Sequence, residues 1–324
     1  MKVLVTGVAG FIGMHCAQRL LARGDKVLGV DNLSPYYSVK LKKDRLKQLP
    51  GKNFAFEKLD IANSSALQKL YKKARPDRVL HLAAQPGVRY SLENPAAYVR
   101  ANVVGFANLL ECCRQAPPQH IVFASSSSVY GANIELPWAE TQNVDHPVSV
   151  YAATKKSSEL MAHVYSHLYG IPATGLRYFT VYGPWGRPDM SPVLFARAIM
   201  DGEPIAVFNR GKMQRDFTYV DDIVEGTLRV LDAGTGAPPG ATPYAIYNIG
   251  NHEPVALLDY IGALERVLGK KAKLELKPMQ PGDVQATYAD TSALQRAVGF
   301  APSTPLEVGL GRFAAWFKSY YGYK

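Results

Sequence analysis

The chain has few cysteines and no long apolar run. Only three of its 324 residues are cysteine, and they form neither a CxxC pair nor a cluster with histidine. We therefore expect buried free thiols in a reducing compartment and no metal site. No run reaches the roughly 18 apolar residues of a membrane helix, and the start MKVLVTGVAGFIG lacks the cleavage site of a signal peptide. The sequence thus predicts a cytoplasmic, soluble protein with no membrane partner.

Acidic residues are in the minority, with 27 Asp and Glu against 37 Lys and Arg and a formal net charge of +10. Such an excess can attract nucleic acid, but here the basic residues are scattered. The densest run, KLKKDRLKQL at 40–49, has the leucine spacing of a solvated amphipathic helix. We therefore expect no nucleic-acid partner, whereas a small acidic substrate suits this charge balance.

Short β-branched runs alternate with helical stretches in the first half of the chain. Strands are predicted at 2–7, 26–31, 53–60, 78–84, 120–127 and 172–179, and helices at 11–23, 36–49, 63–74, 95–115 and 151–169. This alternation is typical of βαβ units around a parallel sheet that is buried on both faces. After about residue 180, proline and glycine become frequent, and shorter helices are predicted at 191–201, 220–232, 256–268 and 305–319.

The predicted fold is therefore α/β, a Rossmann-type doubly wound parallel sheet with a smaller α/β C-terminal domain. We assign residues 1–180 to dinucleotide binding and 181–324 to the substrate, with an approximate and interleaved boundary. The substrate would lie between the two parts, outside the carboxyl ends of the strands.

The first predicted βα turn has the sequence TGVAGFIG, with Gly7, Gly10 and Gly13 at intervals of three. Glycine there lets the backbone approach a pyrophosphate. The helix N-terminus that follows offers free N–H groups and the positive end of its dipole. We expect the three glycines to contact a dinucleotide, together with Phe11 and Ile12 at the start of the helix.

Asp31 ends the second predicted strand and is followed by Asn32. A carboxylate at this point accepts hydrogen bonds from the adenosine ribose and repels the extra phosphate of NADP. Neither Asp31 nor Asn32 is an arginine that could bind that phosphate. The predicted cofactor is therefore NAD, with both residues at its ribose, and an ordinary acidic turn residue is the alternative.

Tyr151 and Lys155 are four positions apart in SVYAATKKSSEL, within a stretch of good helix formers. That spacing puts both side chains on one face of a helix. The stretch by itself is equally typical of a surface pair without a role, or of a packed tyrosine beside a lysine that reaches solvent. Other parts of the sequence have to decide between these interpretations.

Four motifs follow one another along the chain: GVAGFIG at 7–13, HLAAQ at 81–85, SSSSVYG at 125–131 and YAATK at 151–155. With LRYFTVYGPWGRPDM and RDFTYVDDIVEG, they closely resemble the nucleotide-sugar branch of the extended short-chain dehydrogenase/reductase family. The resemblance covers essentially the whole chain. It implies an NAD-dependent enzyme that acts on a UDP-sugar.

The resemblance implies that Tyr151 is the general base and acid at the sugar hydroxyl that is oxidised. Its free pKa of about 10 is too high for a base at neutral pH. The Lys155 ammonium and the positive nicotinamide would lower that pKa, and Lys155 would also hydrogen-bond the nicotinamide ribose. In this family a serine at the end of the fifth strand shares the proton with the tyrosine, and Ser126 best matches its position. Ser128 is the second candidate, because its side chain would point in the same direction as that of Ser126 if the strand continued. A simple turn hydrogen bond is the alternative for each serine.

Further cofactor contacts are implied by the resemblance. Asp60 and Ile61 follow the third strand, where the family contacts adenine, and Tyr178 matches a residue near the nicotinamide. Three residues after the fourth strand match the pyrophosphate side: Leu82, Ala83 and Ala84. Apolar strand ends are also ordinary core positions.

The residues before VYG bear on the type of reaction. Dehydratases of this branch have one or two acids there and decarboxylases have a glutamate, whereas this chain has Ser126, Ser127 and Ser128. The resemblance therefore implies 4-epimerisation, in which carbon 4 is oxidised, the keto sugar rotates, and the hydride returns to the other face.

The sugar is indicated by longer stretches of the sequence. QPGVRYSLENPAAYVRANVVGFANLLE, DHPVSVYAATKK and FTVYGPWGRPDM look most like UDP-glucuronate 4-epimerases, apart from Pro86, where many of those have alanine. The alternatives are a UDP-glucuronate decarboxylase, a 4-epimerase of a neutral UDP-hexose, and a non-catalytic dinucleotide sensor.

A UDP-glucuronate substrate would need contacts for its carboxylate and its nucleotide. Hydroxyls suited to the carboxylate are expected on Ser127, Ser128 and Thr180. The guanidinium groups of Arg187 and Arg215 suit a diphosphate or a carboxylate, and an ordinary surface ion pair is the alternative for each. The resemblance implies that Asp283 holds the nucleotide ribose, with the same alternative.

Two predicted helical stretches have apolar faces, at 102–113 and 157–169. In relatives, the corresponding helices form a four-helix bundle between subunits, so the resemblance implies a homodimer. Internal core packing is the alternative.

Overall fold

The computed structural model of the chain describes residues 1–49, 51–279 and 284–324. Its strands are β1 Lys2–Thr6, β2 Lys26–Asp31, β3 Phe54–Lys58, β4 Arg78–His81, β5 His120–Ser126, β6 Ala173–Tyr178, β7 Thr180–Tyr182, β8 Pro204–Val207, β9 Gln214–Tyr219, β10 Tyr244–Ile249, β11 Pro254–Ala256 and β12 Lys273–Leu276. Its helices are α1 Phe11–Ala22, α2 Val39–Leu46, α3 Ser64–Ala74, α4 Tyr90–Glu93, α5 Pro95–Tyr98, α6 Gly105–Gln115, α7 Val150–Tyr169, α8 Ser191–Asp201, α9 Val220–Ala233, α10 Leu257–Leu268, α11 Ser292–Val298 and α12 Leu306–Tyr321.

A seven-stranded sheet in the order β10-β6-β5-β4-β1-β2-β3 forms the centre of the molecule. All its neighbouring strands are parallel. The β-branched and aliphatic runs that predicted the strands are buried on both faces, as in Val3, Leu4 and Val5 of β1. The predicted α/β fold with a doubly wound parallel sheet is confirmed. The order of strands reverses between β1 and β4, where such sheets bind ligands.

The six predicted strands are present, each shifted at its ends by at most a few residues. The predicted helix at 36–49 is shorter, because the Ser38 hydroxyl accepts a hydrogen bond from Leu41 N (3.2 Å) and caps α2. The predicted helix at 95–115 is divided into α5, a π-helical segment Val99–Val104, and α6. The π segment turns buried Asn102 toward Gln85, whose N–H donates to the Asn102 side chain (2.7 Å).

The interpretation of 40–49 as a solvated helix is wrong in part. Lys42 and Arg45 are only 7% and 0% exposed. The segment around Trp185, which comes much later in the chain, covers this side of α2 and accepts hydrogen bonds from Arg45.

The second half of the chain adds two small sheets, β11-β9-β7 and β12-β8. It also returns to the central sheet, since β10 pairs with β6 and α9 packs beside α1. One hydrophobic core extends from α1 to α9, α10 and α12. The division at residue 180 stays a prediction. No helix in the described ranges is long and apolar enough to cross a membrane.

A buried ion pair joins α7 to β6. Arg177 Nε donates to Glu159 Oε1 (2.8 Å) and Nη2 donates to Oε2 (2.9 Å), and each side chain is 4% exposed. Ser125 at the end of β5 donates its hydroxyl to the same carboxylate (2.6 Å), and Arg177 Nη1 donates to the Tyr130 hydroxyl (3.1 Å). The pair therefore fixes α7 against two adjacent central strands.

Replacing Glu159 with leucine should strongly lower the free energy of unfolding. The substitution leaves the Arg177 guanidinium buried without its counter-charge, which typically costs about 3–5 kcal/mol. Urea unfolding followed by circular dichroism measures this loss, and the double variant Glu159→Leu/Arg177→Met should recover a large part of it.

The matched control is the exposed pair of Arg266 and Glu307, whose nitrogen and oxygen are 2.8 Å apart. Glu307→Gln should cost less than about 1 kcal/mol because solvent screens that pair. An equal loss in the buried and exposed variants would show that the Glu159 pair does not stabilise the fold as described.

Candidate active site

A cavity of about 350 Å³ lies along the carboxyl ends of the central strands. Its lining includes these predicted cofactor residues: Gly7, Gly10, Phe11, Ile12, Gly13, Asp31, Asn32, Asp60, Ile61, Leu82, Ala83, Ala84 and Tyr178. It also includes these predicted catalytic and substrate residues: Ser126, Ser127, Ser128, Tyr151, Lys155, Thr180 and Arg187. Residues from both halves of the chain thus meet at one site.

The glycine turn between β1 and α1 is built for close backbone approach. Gly7 has a φ of 74°, and a Cβ there would lie 2.6 Å from the backbone nitrogen of Ala83. A Cβ on Gly13 would lie 2.2 Å from the Gly7 carbonyl oxygen. Helix α1 begins after Gly10 without a side-chain cap, and its first residues, Phe11, Ile12 and Gly13, line the cavity. The turn fits the pyrophosphate of a dinucleotide.

Asp31 is held in place at the end of β2. Its carboxylate accepts hydrogen bonds from Ala9 N (3.1 Å) and Leu33 N (2.8 Å). Burial raises the pKa of Asp31, while these hydrogen bonds and the charge of Lys42 oppose that rise. A fixed acceptor at this position fits the ribose of NAD.

Lys155 lies on α7 beside Tyr151, as the four-residue spacing predicts. Its ammonium donates to the Ala124 carbonyl (2.8 Å) and lies 5.9 Å from the centre of the Tyr151 ring. Burial lowers the pKa of Lys155 to about 8. The interpretations as a surface pair, or as a lysine that reaches solvent, do not hold, because Lys155 is 4% exposed.

Tyr151 experiences opposing influences on its acidity. Burial raises the pKa of Tyr151, while a hydrogen bond with Ser126 and the charge of Arg187 lower it. We had expected Arg187 only as a substrate contact, so its influence on Tyr151 is an addition to the predicted site. The lowering expected from Lys155 and the nicotinamide stays a prediction.

The structure distinguishes the two candidate serines by their position. Strand β5 ends at Ser126, and Ser128 lies in the 3-10 turn Ser127–Tyr130. The strand therefore does not continue, and the reason for giving Ser128 the same direction fails. Ser126 accepts from Ser128 N and donates to Ser128 Oγ, both at 3.2 Å, and it hydrogen-bonds Tyr151.

We name the part of the cavity around Tyr151 the sugar end, because the predicted substrate residues that line the cavity are expected to meet the sugar there. Ser127, Ser128 and Thr180 line it, together with Arg187. Arg187 Nη2 is 2.5 Å from Asp189 Oδ2, and the pair holds the pKa of the Asp189 carboxyl below its usual range.

Arg215 and Asp283 are the two remaining predicted substrate residues, and the structure describes the first of them. Arg215 lies on β9, where its guanidinium donates to the carbonyls of Gln214 (2.8 Å) and Gln285 (3.2 Å). Within the described residues, the cavity lining does not include Arg215. Asp283 lies outside the described residues. Both roles stay predictions.

Several lining residues were missed by the sequence analysis, among them Tyr36 and Tyr37 between β2 and α2, and Lys42 on α2. Lys42 donates to the Ser34 carbonyl (2.8 Å) and lies 4.4 Å from the centre of the Tyr37 ring. The tyrosine pair a few residues after Asp31 was the available signal, since aromatic residues near a ribose-binding carboxylate favour a ligand contact. Tyr36 donates its hydroxyl to Asp189 (3.0 Å), so this loop also contacts the sugar end.

Comparison with known proteins identifies the family of the chain. Residues 3–250 match the NAD dependent epimerase/dehydratase family. Protein CapI of Staphylococcus aureus is 50% identical, over 99% of both chains. UDP-glucuronate 4-epimerase 3 of Arabidopsis thaliana is 48% identical, over 99% of this chain and 77% of that protein.

A crystal structure of UDP-glucuronic acid 4-epimerase from Bacillus cereus, in complex with UDP-glucuronic acid and NAD, superposes with a TM-score of 0.91. It is 36% identical, over 99% of this chain and 100% of that chain. The resemblance to the extended short-chain dehydrogenase/reductases and the choice of NAD are thereby confirmed, and the chain belongs to the NAD dependent epimerase/dehydratase family.

Proposed function

We propose that this chain catalyses the NAD-dependent 4-epimerisation of UDP-glucuronate to UDP-galacturonate. The observation that carries the proposal is the composition of the cavity wall around Tyr151. Among the described lining residues, the carboxylates are Asp31 at the end of β2 and Asp60 after β3. Both strands lie on the other side of β1 from β5, which carries Ser126. The Asp189 carboxylate pairs with Arg187 and is not in the described cavity lining, so we infer that no lining acid lies beside Tyr151 for elimination.

The reaction needs one acid–base group and a hydride that can be returned. NAD accepts the hydride from carbon 4 and, once reduced, gives it back. Tyr151 takes the proton of the 4-hydroxyl, with Ser126 as its hydrogen-bond partner and Lys155 as the nearby cation. After the keto sugar has rotated, Tyr151 returns the proton to the new hydroxyl. The cofactor is regenerated in each cycle and is expected to stay bound.

The similar proteins support this choice of substrate over a neutral hexose. UDP-glucuronate 4-epimerases of Arabidopsis thaliana share 47–48% of their residues with this chain. A UDP-glucose 4-epimerase from Thermotoga maritima, in a crystal structure with UDP-glucose, shares 30%. Hydroxyls of Ser127, Ser128 and Thr180 suit the additional carboxylate.

Proton NMR of the purified protein with UDP-glucuronate, with and without added NAD, tests the function. We expect a new anomeric signal from UDP-galacturonate with carbon 6 retained. A UDP-pentose signal would instead identify a decarboxylase. If neither forms and a neutral UDP-hexose is converted, the substrate assignment is wrong.

A cytoplasmic location stays part of the proposal. The three cysteines are buried and free. Burial raises the pKa of the Cys16 thiol to about 12, so this group is an unreactive thiol at neutral pH. Free, buried thiols suit a reducing compartment.

We also propose a homodimer formed through α7 and its neighbour α6. Leu160, Val164 and Leu168 are 56%, 47% and 61% exposed, and their spacing of four puts them in one stripe on α7. Val104, directly before α6, is also exposed. Aliphatic side chains in a continuous stripe favour association with a second copy of the same surface.

Replacing Tyr151 with phenylalanine should lower kcat by a factor of about 10²–10⁴ while NAD stays bound, because only the proton-transfer group is lost. The NMR conversion rate and the NAD content of the purified variant measure the two effects. Tyr165→Phe on the same helix is the control, since that hydroxyl donates to Glu111 (2.5 Å) outside the cavity lining. A non-catalytic dinucleotide sensor has no turnover to lose, so neither substitution would change its conversion rate.

Replacing Thr180 with alanine should increase the share of 4-keto-pentose by-product. The 4-keto intermediate of a uronate is a β-keto acid, and the Thr180 hydroxyl is proposed to hold its carboxylate in an orientation unsuited to loss of carbon dioxide. Thr180→Ser retains the hydroxyl and is the matched control. A product ratio that is the same in all three proteins would exclude this role.

Replacing Val164 with glutamate should convert the dimer to a monomer, because charges from two copies would meet in an apolar interface. Light scattering after size-exclusion chromatography measures the mass. Ile134→Glu is the control, because Ile134 is 91% exposed and lies in a loop outside α6 and α7. A wild-type protein that is already monomeric would contradict the proposal.

A further inference from the structure

The backbone at Trp185 is in a conformation that bulky residues rarely adopt. Its φ is 64°, in the left-handed region. The ring packs against Trp316 and Tyr320 of α12, with centroid distances of 5.6 and 5.1 Å. Such a conformation persists only when its surroundings hold it, and it often accompanies a functional site. Trp185 is two residues before Arg187, which lines the cavity.

Arg45 holds the carbonyl of this strained residue. Arg45 Nε and Nη2 both donate to the Trp185 oxygen, at 3.1 and 2.7 Å, and Nη2 also donates to the Gly186 oxygen at 3.2 Å. With two donors on one carbonyl, the peptide plane between Trp185 and Gly186 has one orientation. Rotation of that plane would displace Gly186 and the Arg187 side chain that follows it.

The same guanidinium also reaches the dinucleotide turn. Arg45 Nη1 donates to the Ala9 oxygen (3.1 Å) and to the Tyr37 hydroxyl (2.7 Å). Ala9 lies between Gly7 and Gly10, and its N–H donates to Asp31. The peptide groups on both sides of Ala9 are therefore fixed, one by the carboxylate of Asp31 and the other by the guanidinium of Arg45.

The partners of Arg45 are unusual for a buried cation. Arg45 is 0% exposed, yet in the described part of the chain each of its hydrogen-bond acceptors is a neutral carbonyl or hydroxyl oxygen. Burying a charge without an ionic hydrogen bond is costly. A planar fork with five donors can satisfy several carbonyls from two segments at once, which the single ammonium of a lysine cannot do.

We propose that Arg45 is a positioning residue for both ligands: it ties the cofactor-binding turn at Ala9 to the Trp185–Gly186 peptide and so holds Arg187 over the sugar. This inference rests on the proposed function, since it takes a UDP-sugar as the ligand of Arg187. Arg45 itself does not line the cavity in the described residues, and it acts through the two segments that it joins.

The test compares Arg45→Lys and Arg45→Met with the wild type. Three quantities are measured: KM and kcat for UDP-glucuronate, the NAD content of the purified protein, and the affinity for UDP by calorimetry. We expect KM to rise between about tenfold and 100-fold, as for displacements of about 1 Å near a reacting centre. NAD content should fall in the same variants. Arg45→Lys is the milder change and carries the test if Arg45→Met does not fold.

A double-mutant cycle shows whether Arg45 acts through Arg187. If it does, Arg45→Lys should raise KM little further in a protein that already has Arg187→Met. If each substitution raises KM by the same factor whether or not the other is present, the two residues act independently and the inference is overturned.

Arg78→Met is the control, a partly buried arginine whose side chain is 17% exposed. Arg78 lies at the amino end of the central strand β4, away from the carboxyl ends that line the cavity, and donates to the Leu231 carbonyl (2.8 Å) and to Asp232 (2.6 Å). We expect this variant to lower the melting temperature while KM and NAD content stay as in the wild type. If the Arg45 variants behave in the same way, Arg45 is merely structural and the inference is wrong.

The inference and the proposed function fail in different ways. A wild type that converts no UDP-glucuronate contradicts the function. In that case the NAD content and the UDP affinity of the Arg45 variants still decide the positioning role: reduced values support it and unchanged values exclude it.

Discussion

The register between α7 and β5 is the constraint on which the rest of the site depends. Lys155 meets the carbonyl of Ala124, and one helical turn later Glu159 meets the side chain of Ser125. The next strand residue is a serine that hydrogen-bonds Tyr151. Three successive strand residues thus contact three successive turns of one helix face. If α7 slid by one turn, all three contacts would break together. The position of the Tyr151 side chain is therefore fixed by the packing of α7 on β5.

Two buried arginines stabilise the site by different means. Arg177 has a carboxylate partner in Glu159 and locks the helix that carries the chemistry. In the described part of the chain, Arg45 has only neutral oxygens as acceptors, and it joins the two segments that are proposed to bind the two ligands. Its contacts to Trp185 also offset a backbone strain that is typically of the order of 1–3 kcal/mol. The ion pair of Arg177 therefore fixes helix α7, whereas the carbonyl contacts of Arg45 fix the relative position of two loops.

The sequence predicts the features that depend on local spacing. The βαβ alternation, the glycine turn and the four-residue interval of Tyr151 and Lys155 all follow from periodicities that no distant contact overrides. The burial of α2 could not be predicted this way. The leucine pattern of 40–49 is the same whether its basic face meets solvent or protein, and the covering segment at Trp185 comes about 140 residues later in sequence. The short strands β7 to β12 are likewise set by pairing partners rather than by their own few residues.

In the proposed reaction, the charges near the sugar matter as much as the lack, among the described lining residues, of a carboxylic acid beside Tyr151. For the proposed reaction, the 4-keto uronate loses carbon dioxide faster if the enolate oxygen that forms is stabilised by a nearby positive charge or acid. Arg187 is the cation of the sugar end, and its charge is shared with Asp189 at 2.5 Å. Tyr36 donates to the same carboxylate and helps to keep it there. The pairing leaves Arg187 able to orient an anionic ligand through its remaining donors, while it weakens the field that would favour decarboxylation. In the proposed reaction, selectivity for epimerisation would then depend on two features together, the hydroxyls proposed to hold the carboxylate and the pairing of Arg187 with Asp189.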